Sequence, residues 1–175
     1  MIEIERLRIK PLSYSQLVKY IQVDNSLETE LNLNETSRTI SQELKDALEQ
    51  TILPNVADTS KNYLYSTLWT VISKAENKMV GDLCFVGEPN ANGEVEIGYG
   101  TYDEFQNRGF MTEAVGGMIE WAKQQPEVKA IIASTDKTNS ASYSVLLKNN
   151  FTKVEGTDAL FNWRLVLQTV KNEEL

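Results

Sequence analysis

A mixed α/β fold, a sheet flanked by helices, is predicted for this chain by three observations. Apolar, β-branched runs at Leu68 to Ser73 and Met79 to Val86 and an alternating run at Glu94 to Tyr102, separated by short turns, read as consecutive strands. A glycine-bearing loop, Gln106-Asn107-Arg108-Gly109, then opens directly into an amphipathic segment. Beyond it come a strand-like run, a second helical run and two closing strand-like runs, the order of a mixed sheet. A chain of 175 residues suits a single domain, residues 1–175, better than two.

The elements follow in order. Arg6 to Lys10 alternates as a first strand, and Leu17, Tyr20, Ile21 and Asp24 suggest a short helix. Ile40, Leu44, Ala47, Leu48, Thr51 and Ile52 recur at helical spacing until Pro54 stops the pattern, so two helices precede the sheet. Glu76-Asn77-Lys78 makes a hairpin of the next two strands, and Glu88 to Gly93 turns into the third, giving an antiparallel meander. Thr112 to Gln124 is an amphipathic helix with Val115, Met118, Ile119 and Ala122 on one face, ending before Pro126. Gly116-Gly117 inside it costs about 1 kcal/mol per Gly relative to Ala, which points to tight packing on the sheet. Val128 to Ser134 is a short buried strand, Ser140 to Asn149 a helix capped by Asn139, and Phe151–Glu155 with Phe161–Thr169 a terminal hairpin.

Composition narrows the function. No apolar run approaches the roughly 20 residues of a membrane-spanning helix, and the N-terminus carries charges, so a cytoplasmic protein without a membrane partner is expected. The single Cys84 cannot form an internal disulfide, which fits a reducing compartment. A net charge of −8 without a Lys/Arg cluster disfavours nucleic acid. A cationic substrate suits that charge, as does solubility alone. With no histidine, acid–base chemistry falls to carboxylate, hydroxyl, amine or water.

The run Gln106-Asn107-Arg108-Gly109-Phe110-Met111-Thr112-Glu113-Ala114 has the form of an anion cradle, although as nine isolated residues it reads equally well as a plain connection. Amides at a helix start lack intrahelical partners and sit at the positive end of the helix dipole. Together with Glu96-Ile97-Gly98-Tyr99-Gly100-Thr101-Tyr102 before it, and Asn139-Ser140-Ala141-Ser142 and Phe151 after it, this run resembles the GNAT N-acetyltransferases, whose Gln/Arg-x-x-Gly-x-Gly/Ala loop cradles acetyl-CoA. It is most similar to the branch that acetylates the alanine or serine N-termini of ribosomal proteins, closely so over residues 79–156. It departs from the pattern at Met111, where a small residue is usual, and at Asn150, which replaces the usual Gly.

The resemblance implies the GNAT fold, a mostly antiparallel sheet flanked by helices with a splayed central strand pair. It implies acetyl-CoA as co-substrate, no metal, and an amine acceptor that is a protein N-terminus or a small molecule; a homodimer stays open. Tyr99 and Thr101 become backbone partners of the pantetheine arm and acetyl group, at a bulge that Gly98 and Gly100 support locally. Gln106, Asn107, Arg108, Gly109, Phe110, Met111 and Thr112 become the phosphate loop, and Asn139 a further contact to the arm. For the general base Glu96 comes first and Glu113 second; each also has a purely structural reading, as an exposed strand residue and as a favourable charge at a helix start. The tyrosine that many relatives use to protonate the thiolate falls here on Leu146, leaving Ser142, or Tyr143 if its ring faces the cleft. Cys84 in an apolar run reads as a core residue rather than a nucleophile. A non-catalytic acyl-CoA-binding module of the same fold is the alternative function.

Overall fold

The computed structural model describes residues 1–168. Its strands are β1 (Ile2–Glu3), β2 (Leu7–Pro11), β3 (Trp69–Ser73), β4 (Lys78–Phe85), β5 (Glu94–Thr101), β6 (Ala130–Asp136), β7 (Thr152–Val154) and β8 (Leu160–Val166). They form one sheet in the order β1-β2-β3-β4-β5-β6-β8-β7. Every neighbouring pair is antiparallel except β5 with β6. The expected terminal hairpin is β7–β8, with β8 inserted beside β6; Thr169 lies outside the described residues.

The helices are α1 (Tyr14–Gln22), α2 (Ser26–Glu30), α3 (Gln42–Ala47), α4 (Leu53–Ala57), α5 (Phe110–Lys123) and α6 (Ser140–Lys148). A capping box starts α1: Ser13 Oγ accepts from Gln16 N–H at 3.3 Å and Gln16 Oε1 from Ser13 N–H at 3.0 Å. Pro54 does not end its helix as expected. A π-helical turn, Leu48–Ile52, joins α3 to α4 and widens the backbone before the proline, whose ring would otherwise meet a carbonyl one turn back. The five-residue α2 is too short to show a helical period in sequence. No described helix is long and apolar enough to cross a membrane.

The sheet separates two apolar layers. On one face α5 and α6 bury Val115, Met118, Val145 and Leu146 against Ile9, Val71, Leu83, Phe85 and Ile97. Gly117 lets α5 approach closely, since a Cβ there would lie 3.2 Å from Ile9 Cδ1. On the other face α1, α2 and the 42–57 helices cover Leu68, Ile72 and Met79 with Leu17, Leu27 and Leu48.

Two features of the central strands position the site. β5 and β6 pair only from Glu94↔Ala130 to Glu96↔Ile132 and part beyond that point, while β4 follows β5 all the way from Phe85↔Ile97 to Gly81↔Thr101. The expected bulge in β5 is therefore absent. Unbroken alternation keeps Leu83 and Phe85 on the same buried face as Ile97, and a one-residue slip would turn them outward. The irregularity falls instead between β3 and β4, at Val71/Ile72.

After α6 the chain reverses through Asn150 at φ 65°, the left-handed region that Asn tolerates better than other side-chain-bearing residues. Asn150→Val should lower stability by about 1–2 kcal/mol, the cost of that conformation for a bulky L-residue. Urea unfolding would measure it, and an unchanged midpoint would contradict the assigned backbone.

Candidate active site

The loop after β5 alternates its backbone to bring amides together. Asn107 and Gly109 both have positive φ, 61° and 77°, and Gly109 is the N-cap of α5 without any side-chain cap. The uncapped helix start opens onto a cleft of about 410 Å³ lined by the whole 105–112 segment, by Tyr99 to Thr101 and by the first turns of α6. A Cβ on Gly109 would also approach Arg6 Nη2 to 3.3 Å. Among the described residues, Arg108 and Lys148 are the charged ones lining this cleft, and no carboxylate lines it. Arg108 is steadied by Glu76, at 3.0 Å, and by the Phe110 ring, 4.7 Å from its guanidinium. The residues present therefore suit a phosphate-bearing ligand such as the pyrophosphate of CoA.

Gln106, Asn107, Arg108, Gly109, Phe110 and Thr112 all line the cleft. Met111 lines it too while its residue is 95% buried, and its Cε would lie 3.1 Å from a Cβ on Gly81, so its bulk goes into the core below the sheet. Asn139 caps α6, its Oδ1 accepting from Ser142 N–H at 3.1 Å. Glu113 is not placed for base chemistry: it accepts from Arg6 Nε at 2.7 Å and Arg6 N–H at 2.8 Å and opens onto a different groove beside β1. Its neighbour in space lies 107 residues upstream, which sequence spacing could not reveal.

The parted strands expose backbone. Val86 N–H donates to Glu96 O at 2.9 Å and Tyr102 N–H to Val80 O at 3.0 Å, so the even-numbered residues of β5 bond to β4. The amides of Tyr99 and Thr101 consequently point toward β6, where no strand pairs with them. Across this gap the Tyr99 hydroxyl donates to Ser142 O at 2.7 Å and lies 3.4 Å from Ser142 Oγ, joining β5 to the start of α6. Burial holds that phenol above its ordinary pKa, with the Ser142 contact acting in the opposite direction.

A second cleft of about 800 Å³ lies on the other face of the sheet, beneath α1 and the 36–44 segment, and shares Tyr99, Gly100 and Thr101 with the first. Asp82 lines it, with only 7% of its surface exposed. Its Oδ2 accepts from Tyr20 Oη at 2.5 Å and Tyr102 Oη at 2.8 Å, and its Oδ1 has no partner. Burial pushes the Asp82 carboxyl up to about 6, against the two tyrosine hydrogen bonds and the Arg38 guanidinium, which pull it down. Arg38 itself lies over the Tyr20 ring at 4.7 Å, pairs with buried Glu28 and donates to Tyr20 O at 3.0 Å. Sequence reasoning passed over Asp82; its signal was a lone acid inside the apolar run Met79 to Phe85.

The remaining expectations fall as follows. Cys84 lines the second cleft, and burial first, then Asp82, pushes its thiol up to about 11, so it stays protonated at neutral pH. Glu96 sits half-buried on the same face of β5 as Gly98 and Gly100, and lines neither cleft. Tyr143 packs its ring against Phe161, at 5.7 Å, and Trp163, at 6.2 Å, and is likewise absent from both linings. Leu146 is fully buried in the core, so no acid could be offered from that position.

Comparison with known proteins bears on the family and the fold. Residues 6–152 match the family model described as an acetyltransferase (GNAT) domain. A curated relative, an uncharacterized N-acetyltransferase YjdG of Bacillus subtilis (strain 168), is 32% identical over 83 residues, 47% of this chain and 49% of the relative, so the match spans about half of that protein's length. Among solved structures, RimL, a ribosomal L7/L12 α-N-protein acetyltransferase in complex with coenzyme A, superposes with a TM-score of 0.66 at 17% identity, covering 95% of this chain and 97% of that one. A ribosomal-protein-S5-alanine acetyltransferase from Vibrio fischeri gives a TM-score of 0.65 at 18% identity, covering 94% of each chain. At such identities the superpositions speak for the fold alone, whereas the family model spans most of the sequence: this chain belongs to the GNAT acetyltransferase family.

Proposed function

We propose that this protein transfers the acetyl group of acetyl-CoA to a primary amine, by direct attack while both are bound. The observation that carries the reading is the pair of clefts of opposite charge meeting at Tyr99, Gly100 and Thr101. The first, with Arg108, Lys148 and the uncapped start of α5, suits phosphates. The second is lined by Asp82, Asp103 and Glu104, and the charge of Arg38, the one cation among its described lining residues, is met by Glu28, so it suits a cationic amine. Acetyl-CoA supplies the acetyl thioester.

The protein's own groups then have distinct tasks. Free amides of Tyr99 and Thr101 hold the arm of the co-substrate along the edge of β5, as an added strand would be held. The Tyr99 hydroxyl and Ser142 Oγ, 3.4 Å apart, form a short hydroxyl pair at the gap through which a proton can reach the departing sulfur. Direct attack needs no enzyme nucleophile, consistent with a Cys84 thiol that stays protonated. Resemblance of the fold to ribosomal-protein acetyltransferases makes a protein N-terminus one acceptor to assay, beside small-molecule amines.

Gly109→Val should abolish CoA binding in calorimetry while leaving a cooperative fold, because the added side chain sits where the loop backbone would meet phosphate. Wild-type affinity in that variant would remove the loop from the mechanism. Thiol release from acetyl-CoA, followed across an amine panel, tests turnover itself; tight CoA binding without release by any amine would favour a non-catalytic binding module. Ser142→Ala should lower kcat by less than about 10²-fold, the lower end of general acid–base contributions, since water can stand in for a hydroxyl. Tyr99→Phe with Ser142→Ala should lose more than either change alone. A double variant with wild-type kcat would exclude the hydroxyl pair from proton delivery.

A further inference from the structure

We propose that Asp82 is the group that receives the acceptor's ammonium and takes its proton. The inference rests on the acetyl-transfer reading above and names the residue that makes the amine reactive. Asp82 is a buried carboxylate that lines the acceptor cleft, yet one of its two oxygens has no hydrogen-bond partner. A buried acceptor left open in this way is costly unless a ligand completes it. An ammonium N–H is the complement of a carboxylate oxygen.

That oxygen is itself buried, and the floor beside it is open. Asp82 pairs across the ladder with Gly100, which borders both clefts, and a Cβ built on Gly100 would meet nothing within 4 Å. Two positions along, Gly98 pairs with Cys84, and a Cβ built on Gly98 would lie 3.8 Å from the Cys84 Sγ. These two glycines leave a bare floor between the parted edge of β5 and Asp82. An amine resting over Gly100 would reach the carboxylate on one side and the gap beside Tyr99 and Thr101 on the other.

Two tyrosines position the carboxylate without consuming its free oxygen: Tyr20 and Tyr102 both donate to Oδ2. Tyr20 is held by the Arg38–Glu28 pair, so α1, α2 and the segment before α3 meet at the residue that fixes Oδ2. The titratable and charged groups facing Asp82 are Tyr20 from α1, Arg38 from the segment before α3, Cys84 along β4 and Tyr102 after β5. Chemically the step is a proton transfer: the N–H bond of R–NH₃⁺ breaks, its electron pair stays on nitrogen, and an O–H bond forms on Asp82 Oδ1. Water takes that proton before the next turnover. A carboxyl near pH 6 is mostly ionised at neutral pH while holding a proton better than an ordinary aspartate, which suits it to this task.

The experiment compares Asp82→Asn with Glu96→Gln in the full chain, using n-butylamine as the probe. Carboxyl ¹³C NMR of the wild-type protein should place the Asp82 titration near 6 and move it down by about one unit or more when n-butylamine is added. Asp82→Asn should weaken amine binding at least tenfold and lower kcat by about 10²–10⁴, with CoA affinity unchanged, whereas Glu96→Gln should stay within a few-fold of wild type. In wild type kcat/KM should fall below about pH 6 as Asp82 protonates. Tyr102→Phe removes a bond that favours the carboxylate, so that limb should move to higher pH, a shift a packing role would not produce. The folded protein binds the Asp82 proton more tightly than the unfolded chain between pH 3.8 and about 6, so this group's contribution to stability falls as pH rises through that window. Asp82→Asn should thus fold with an equal or higher Tm at neutral pH. An Asp82 titration indifferent to amine at 100 mM (about a hundredfold above a millimolar site), or wild-type kcat in Asp82→Asn, would overturn the inference while leaving acetyl transfer standing. An amine-dependent Asp82 titration without thiol release would keep Asp82 as the ammonium-receiving group and overturn the acetyl-transfer reading instead.

Discussion

Three residue pairs, from Glu94 with Ala130 to Glu96 with Ile132, are all that join β5 to β6. Each strand is held on its far side along a much greater length, β5 by β4 and β6 by β8, so the gap lies between two braced half-sheets. A sheet opened in this way leaves backbone donors and acceptors that its own strands do not satisfy, and these acquire value when a ligand pairs with them. The loop, the helix start and the Tyr99–Ser142 contact are all arranged around that opening. Bracing explains why the site can remain open: α5 packs on β1, β2, β4 and β5, and Asn149 ties α6 to it by donating to Thr112 O at 3.0 Å.

Charge divides the site into two halves. Where the first cleft has cations and amide dipoles, the second has carboxylates, with the one deeply buried among them held against its solvation preference. Burying Asp82 disfavours its charged form and so opposes folding at neutral pH. Residues that cost stability in this way cluster where chemistry is done, because a group satisfied by the fold alone has nothing left to offer a substrate. Glu113 illustrates the opposite case, a carboxylate fully engaged by Arg6.

Much of the first cleft was legible in the sequence because its information is local. The loop announces itself through Gly109 before an apolar helical period, Asn139 through its place at a helix start, and the strand through its alternation. The second cleft was not, because it is assembled from distant segments: Tyr20 meets Asp82 across 62 residues of chain, and Arg38 joins them from a stretch without regular structure. Gly98 and Gly100 were noticed for the right strand and read as a bulge, whereas the ladder stays in register and a Cβ at Gly100 would meet only open space. Pro54 misled for a similar reason, since only the tertiary arrangement reveals a π-helical turn that accommodates it.

Backbone exchange at the gap tests the central claim most directly. Hydrogen–deuterium exchange resolved at single amides would compare the protein alone with the protein saturated by acetyl-CoA. Slowed exchange at Tyr99 and Thr101, together with the 109–112 amides, is expected, because those groups gain partners only when the parted strands are filled. Exchange at Tyr99 and Thr101 that is indifferent to saturating acetyl-CoA would contradict the account.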